Sequence, residues 1–393
     1  MKKIVSLVLV LAMALICTAA FAEGIPADQI KVGYIFVGDE NEGYTAAHYE
    51  GAKAMMAALG LTDDQVIIKW TIPETEACYD AAVDLAEAGC NIIFANSFGH
   101  ETYMMQVAAE YPDIQFCHAT GYQAASSGMS NMHNYFDSIY EARYVGGVVA
   151  GMKLNEMIAN GVITEDNCTI GYIGAFPYAE VISGFTSFFL GVRSVCPAAT
   201  MEVKYTNSWA SFDLEKEAAD ALINSQNCVL ISQHADTTGA PTACEESGVP
   251  IVGYNISMIA TAPTTALTSA SNNWGSYYTY AVDCVIKGEE IATDWCQGYA
   301  EGAVCITELN EAACAEGTAE KVAEVEAAIK DGTLHVFDTS TFTVGGETLE
   351  DLIANNPDYA KYADYVSDGY FHESELASAP AFDLIIDGVV AIG

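Results

Sequence analysis

Short apolar runs alternate along this chain with segments whose apolar residues recur every three or four positions. KVGYIFVG (31–38), QVIIKWTI (65–72), NIIFANS (91–97) and IQFCHATG (114–121) predict strands. Between them AAHYEGAKAMMAAL (46–59), TEACYDAAVDLAEAG (75–89) and ETYMMQVAAEY (101–111) predict helices. The scheme then repeats: CTIGYIGAF, MEVKYTNSW, CVLISQHA and VPIVGYN are the strands of a second half, separated by helical segments such as VISGFTSFFLGVRSV and LEKEAADALINSQ. Strands apolar throughout, with helices between them, indicate parallel sheets covered on both faces. The expected fold is α/β, two Rossmann-like lobes with parallel sheets joined by a hinge.

Two lobes also suit the length, since single cores stop growing near about 250–300 residues. The expected division is a leader over 1–22, a first lobe over 23–137 plus 256–290, and a second over 138–255 plus 291–338. A helix over 138–157 lies near the junction, and its Gly146, Gly147 and Gly151 cost helix propensity, which argues for close packing. TALTSASNNWGSYYTYAVDCVIKG (265–288) supplies a late strand and helix returning to the first lobe. HVFD and TFTVGG read as strands, and 339–393 as an extension packed on the second lobe.

The first residues, MKKIVSLVLVLAMALICTAAFA, have a basic start, an apolar run and small residues before Glu23. This is the pattern of a cleaved secretory signal. A soluble periplasmic protein is expected; the alternative is a lipid anchor on Cys17, disfavoured because Ile16 precedes it. Net charge is −39, and loss of Lys2 and Lys3 with the leader makes the rest more acidic still. Such a field repels polyanions, which argues against nucleic acid and phosphorylated ligands. Removing Cys17 leaves an odd number of cysteines, so at least one is unpaired. Cys90, Cys117 and Cys228 read as small buried hydrophobes, with pairing open among Cys284, Cys296, Cys305 and Cys314.

Ligands of open parallel sheets bind beyond the carboxyl ends of the strands. The segments there carry aromatics, amides, hydroxyls and a few acids, but no lysine or arginine. Tyr44 and Trp209, each just past a strand, are the expected stacking pair for a planar guest. Asp236 would accept hydrogen bonds from an amine or ring N–H, the alternative being a cap on the next helix. Glu180, Asn255, Thr120, Trp274 and Phe98 complete the candidate set, whereas His234 reads as structural and Asp39 to Glu42 as a solvated loop. No GxSxG, HExxH, Walker or opening GxGxxG motif occurs, and no cofactor or metal is expected.

Taken together, VGYIFVGDENEGYTAAHYEGAKAM, YPDIQFCHATGY, YEARYVGGVVAGM, IGYIGAFPYAEVISGFTSFFLGVRSVCP, YTNSWASFDLEKEAADALI and GVPIVGYN resemble the basic membrane protein family. Its members are substrate-binding proteins of ABC transporters, with the type-1 periplasmic binding protein fold. The resemblance implies a small-molecule ligand, permease partners, a monomer, and stacking by Tyr44 and Trp209. Members that bind purine nucleosides carry aspartates where this chain has Thr120 and, nearby, Asn255, and a lysine near Asn272. These departures put ribose recognition in doubt, and the strings HATGY, NSW and SQHADTTG resemble a branch that binds a free purine base, so the resemblance implies adenine first, with a nucleoside close behind. Another solute (a sugar, amino acid or autoinducer) is the alternative, and an exported nucleoside hydrolase using Asp39 and Glu40 a third.

Overall fold

The computed structural model describes residues 24–392; the expected leader and Cys17 lie outside them. In the first half β1 (Val32–Ile35) leads to α1 (Gly43–Leu59), β2 (Val66–Lys69), α2 (Glu76–Glu87) and β3 (Ile92–Ala95). There follow α3 (Glu101–Glu110), β4 (Gln115–Ala119), α4 (Ala124–Ser127) and β5 (Met132–Tyr135). Every residue of β1, β3 and β5 is buried, the signature of strands covered on both faces. Helix boundaries follow local chemistry. Glu42 caps α1 by accepting from the Tyr44 and Thr45 N–H groups, and Gly60 ends it in the left-handed conformation.

The chain then crosses to α5 (Ile139–Ala159) and repeats: β6 (Thr169–Gly174), α6 (Ala179–Val195), β7 (Thr200–Tyr205), α7 (Phe212–Asn224), β8 (Leu230–Gln233), α8 (Gly239–Ser247), β9 (Ile251–Tyr254) and β10 (Ala266–Asn272). Next come α9 (Gly275–Lys287), β11 (Asp294–Trp295), β12 (Val304–Ile306), α10 (Thr318–Lys330), α11 (Leu349–Asn355), the pair β13 (Val366–Ser367) and β14 (Tyr370–Phe371), and β15 (Val389–Ile392). The first sheet has the order β11-β5-β4-β3-β1-β2, parallel throughout. The second has the order β12-β10-β9-β8-β6-β7-β15, with only β10 and β12 antiparallel.

The lobe boundaries differ from those expected. β10, assigned above to the first lobe, pairs with β9 in the second sheet, and β11, assigned to the second, pairs with β5 in the first. Only α9 returns, packing on α1, where a Cβ on Gly51 would meet Trp274 Cβ at 2.7 Å. The lobes are therefore joined by three strands of chain, near 136–138, 273–274 and 296–303. They run side by side: Phe136 N donates to Trp295 O, Ser138 N to Gln297 O, and Asn273 N to Ala303 O. HVFD and TFTVGG are not strands; each contributes one isolated bridge, Asp338 to Tyr370 and Val344 to Glu347. Beyond them β15 lies beside β7 as an added parallel strand of the second sheet.

Helices α5 and α6 form the backbone of the second lobe, and glycine brings them together. A Cβ on Gly147 would stand 2.0 Å from the Phe188 carbonyl oxygen, and one on Gly151 would stand 2.3 Å from Val195 Cγ2. The close packing expected of these glycines is thus present. Gly147→Ala forces the helices apart and is expected to cost about 1–3 kcal/mol or more. A Cβ on Gly146 meets only Val252 Cγ1, at 3.2 Å. Chemical denaturation should therefore show a much smaller loss for Gly146→Ala than for Gly147→Ala.

Candidate functional site

The carboxyl ends of both parallel sheets face one gap between the lobes, enclosing a cavity of about 380 Å³. From the first lobe come Val37, Gly38, Glu42, Tyr44, Glu74, Asn96, Ser97, Phe98 and Thr120. From the second come Phe176, Glu180, Asn207, Ser208, Trp209, Ala210, His234, Asp236 and Tyr254. Thr120, Asn207 and Asn255, just past the ends of β4, β7 and β9, all have positive φ, between 55° and 67°. For a threonine that backbone is a genuine outlier, and such strain gathers at functional sites.

Tyr44 is held from behind. Its ring meets His48 edge-on at 4.5 Å and Trp274 at 6.0 Å, and its hydroxyl donates to Asn96 O at 2.6 Å. His48 stacks on Trp274 at 4.1 Å, and burial holds its imidazole well below the usual range, so it is neutral. On the facing lobe Trp209 packs against Phe176 at 5.2 Å and Tyr178 at 6.1 Å. At the rim Phe98 of the first lobe stacks on Tyr178 of the second at 5.9 Å, and on Tyr122 at 6.2 Å. The lobes also meet directly through Gly43 N, which donates to Asp236 O at 3.1 Å.

The cavity is acidic. Asp236 accepts Asn255 Nδ2 on one oxygen at 2.7 Å, and its backbone N–H donates to Trp209 O. Burial, then the charges of Glu42 and Glu215, push its carboxyl well above the ordinary range. Glu42 is raised too, chiefly by burial. Glu180 accepts from His234 Nε2 at 3.2 Å. Burial, then Arg143, lowers that imidazole to about 4, so it donates as a neutral ring. No lysine or arginine appears among the described lining residues. Arg143 lies behind the floor instead, its guanidinium 3.8 Å over the Tyr254 ring, donating to Tyr172 Oη and Gln233 O.

Of the residues expected from sequence, Tyr44, Trp209, Asp236, Glu180, Thr120 and Phe98 line this cavity. Asp236 does not cap α8; Thr238 stands at that position. Two of the expected site residues stand behind the wall instead. Trp274 is fully buried beneath Tyr44, and Asn255 is buried behind Asp236, so each acts through the residue in front of it. Glu42, read as part of a solvated loop, caps α1 and lines the cavity, whereas Asp39 and Glu40 are exposed outside it. His234, read as structural, lines it as well. Glu74 and Phe176 were missed. Glu74 sits in a turn without a pattern and is aimed by contacts to Ser97 Oγ and Gly99 N. Phe176 was legible only as another aromatic past a strand.

Residues 30–335 match the family described as Bmp, ABC transporter substrate-binding protein PnrA-like. A purine-binding protein of Brucella abortus is 33% identical over 341 residues, covering 85% of this chain and 91% of that protein. A putative ABC transporter glucose-binding protein of Haloferax volcanii is 29% identical, over 83% of this chain and 78% of that one. Among solved structures, an ABC transporter solute-binding protein of Aeropyrum pernix superposes with a TM-score of 0.64 at 16% identity, covering 85% of this chain and 96% of that one. This last likeness concerns the fold alone, that of type-1 periplasmic binding proteins. ABC transporter substrate-binding proteins of the family matched over residues 30–335 work outside the cytoplasm and pass a small-molecule ligand to permease partners. Two lobes, a shared cleft and a family match across most of the sequence make this chain a member of the Bmp family of ABC-transporter substrate-binding proteins.

Proposed function

We propose that the cleft captures a purine base, adenine first, for delivery to an ABC importer. The observation that carries the reading is that Tyr44 and Trp209, from opposite lobes, line one cavity with several carboxylates and no cationic side chain. A planar ring between two aromatics gains roughly 1–3 kcal/mol per stacked face. An exocyclic amine donates to the free oxygen of Asp236, and closure strengthens that bond by excluding water. A phosphate would meet Glu42, Glu74, Glu180 and Asp236 with nothing to neutralise it. The purine-binding relative supports the same ligand class. Release as a soluble periplasmic monomer fits a chain cut after Ala22.

A sugar is the second reading, favoured by the glucose-binding name of the other relative, and aromatics stack sugars too. Hydrolysis by Asp39 and Glu40 has little support, because both lie exposed outside the cavity.

Calorimetry on ligand-stripped protein should give heat with adenine and none with glucose; silence across purine bases and nucleosides would discard the reading. Trp209→Ala should weaken adenine binding by about 1–3 kcal/mol, roughly 5- to 150-fold. The pH dependence follows from Asp236. Its value in the empty site is raised, and a donor N–H favours the ionised form, so the bound value is lower and binding releases a proton. Affinity for adenine therefore rises with pH up to the raised value of the empty site, and Asp236→Asn should flatten the profile. Tyr178, outside the cavity, holds the rim contact with Phe98 and also backs Trp209. Loss of an aromatic pair worth about 0.5–1.5 kcal/mol in Tyr178→Ala should speed ligand release roughly 2- to 10-fold in stopped-flow fluorescence.

A further inference from the structure

Eleven cysteines lie among the described residues. Several point their sulfurs at oxygen: Cys78 at His100 O, Cys296 at Ser138 Oγ and Cys314 at Leu267 O. The pairing left open among Cys284, Cys296, Cys305 and Cys314 gains nothing from these contacts. Cys168 and Cys196 behave differently. Their sulfurs stand 3.7 Å apart, and both residues are buried. A disulfide bond is about 2.0 Å long, so closure asks the sulfurs to approach by less than about 2 Å, within reach of side-chain rotation. The backbone around them is already fixed. Thr200 N donates to Cys168 O at 3.1 Å, Ala199 N donates to Cys196 O at 3.1 Å, and Thr169 pairs with Thr200.

We propose that Cys168 and Cys196 form a structural disulfide in the mature protein, made after the chain leaves the cytoplasm. The proposal rests on the extracytoplasmic setting of the family and not on the identity of the ligand. The oxidant is a protein disulfide of that compartment. The Cys196 thiolate attacks one of its sulfurs, forming a mixed disulfide and expelling the first oxidant thiolate. The Cys168 thiolate then attacks the Cys196 sulfur and expels the second. Two electrons pass to the oxidant, and the two protons lost by the cysteines go to its thiolates. The hydrogen bond from Cys168, helped by the Ala198 and Ala199 N–H groups, lowers Cys196 below the usual thiol range against burial, which suits it to the first attack.

The position gives the bridge its role. Cys168 immediately precedes β6 and Cys196 immediately follows α6, so both lie at the end of the lobe away from the cleft. The loop they close carries Phe176, Tyr178 and Glu180 at its opposite turn. A bond there limits the unfolded chain and ties α6 to the sheet, while leaving the cavity walls untouched.

The test uses protein collected from the extracytoplasmic fraction, denatured in iodoacetamide and digested without reductant. Mass spectrometry should find one peptide pair joined through Cys168 and Cys196, with the other nine thiols alkylated. Dithiothreitol should lower the thermal midpoint by several degrees. The double variant Cys168→Ser with Cys196→Ser should melt near the reduced protein, ignore dithiothreitol, and keep the ligand affinity of the parent, whatever that ligand is. Alkylation of both cysteines in the exported protein, a link from either to another cysteine, or an undiminished dithiothreitol shift in the double variant would each overturn the proposal. A failure of adenine to bind leaves these readouts unchanged, so the two readings fail separately.

Discussion

One hydrogen bond across the cleft sets the geometry of the site: Gly43 N to Asp236 O, 3.1 Å. Gly43 opens α1 on the first lobe and is followed at once by Tyr44. Asp236 lies past β8 on the second lobe, and its own N–H is tied to Trp209 O. That contact lies beside the phenol, the carboxylate and the indole that line the cavity together. The approach needs a residue without a side chain, because a Cβ on Gly43 would stand 2.9 Å from the Asp236 carbonyl oxygen. The Phe98–Tyr178 stack adds a second contact between the lobes at the rim of the cavity.

Around that contact the protein separates its charges. Carboxylates face the cavity, and the arginine nearest to it is placed behind a tyrosine ring, its charge spent on Tyr172 and the Gln233 carbonyl. Burial raises Asp236 and Glu42 because water is scarce and each sits near other acids. A ligand with N–H donors relieves that crowding, whereas an anion adds to it. An absence of cations in the lining thus works against an anionic guest, as the proposed reading requires.

Much of this was legible from sequence because strand ends announce themselves. An apolar run that stops at a polar or aromatic residue marks a place beyond a sheet, and in a parallel sheet those places share one edge. Tyr44, Trp209, Asp236, Glu180, Thr120 and Phe98 were found by that rule. It failed where a neighbour in space, not in sequence, decides exposure. Trp274 follows a strand like Trp209, yet α9 carries it under Tyr44 and buries it completely. Glu42 looked solvated in an acidic run, yet as the cap of α1 it must point inward to meet two N–H groups.

By itself the sequence determined the α/β class, two repeated lobes, a glycine-bearing helix at the junction suited to close packing, and a binding edge without cations. These follow from periodicity, composition and backbone freedom, which are local. Only the tertiary structure decided which sheet β10 and β11 join, that three strands of chain cross between the lobes, and that Cys168 meets Cys196. Those depend on packing between segments far apart in the chain, where no local pattern distinguishes one partner from another.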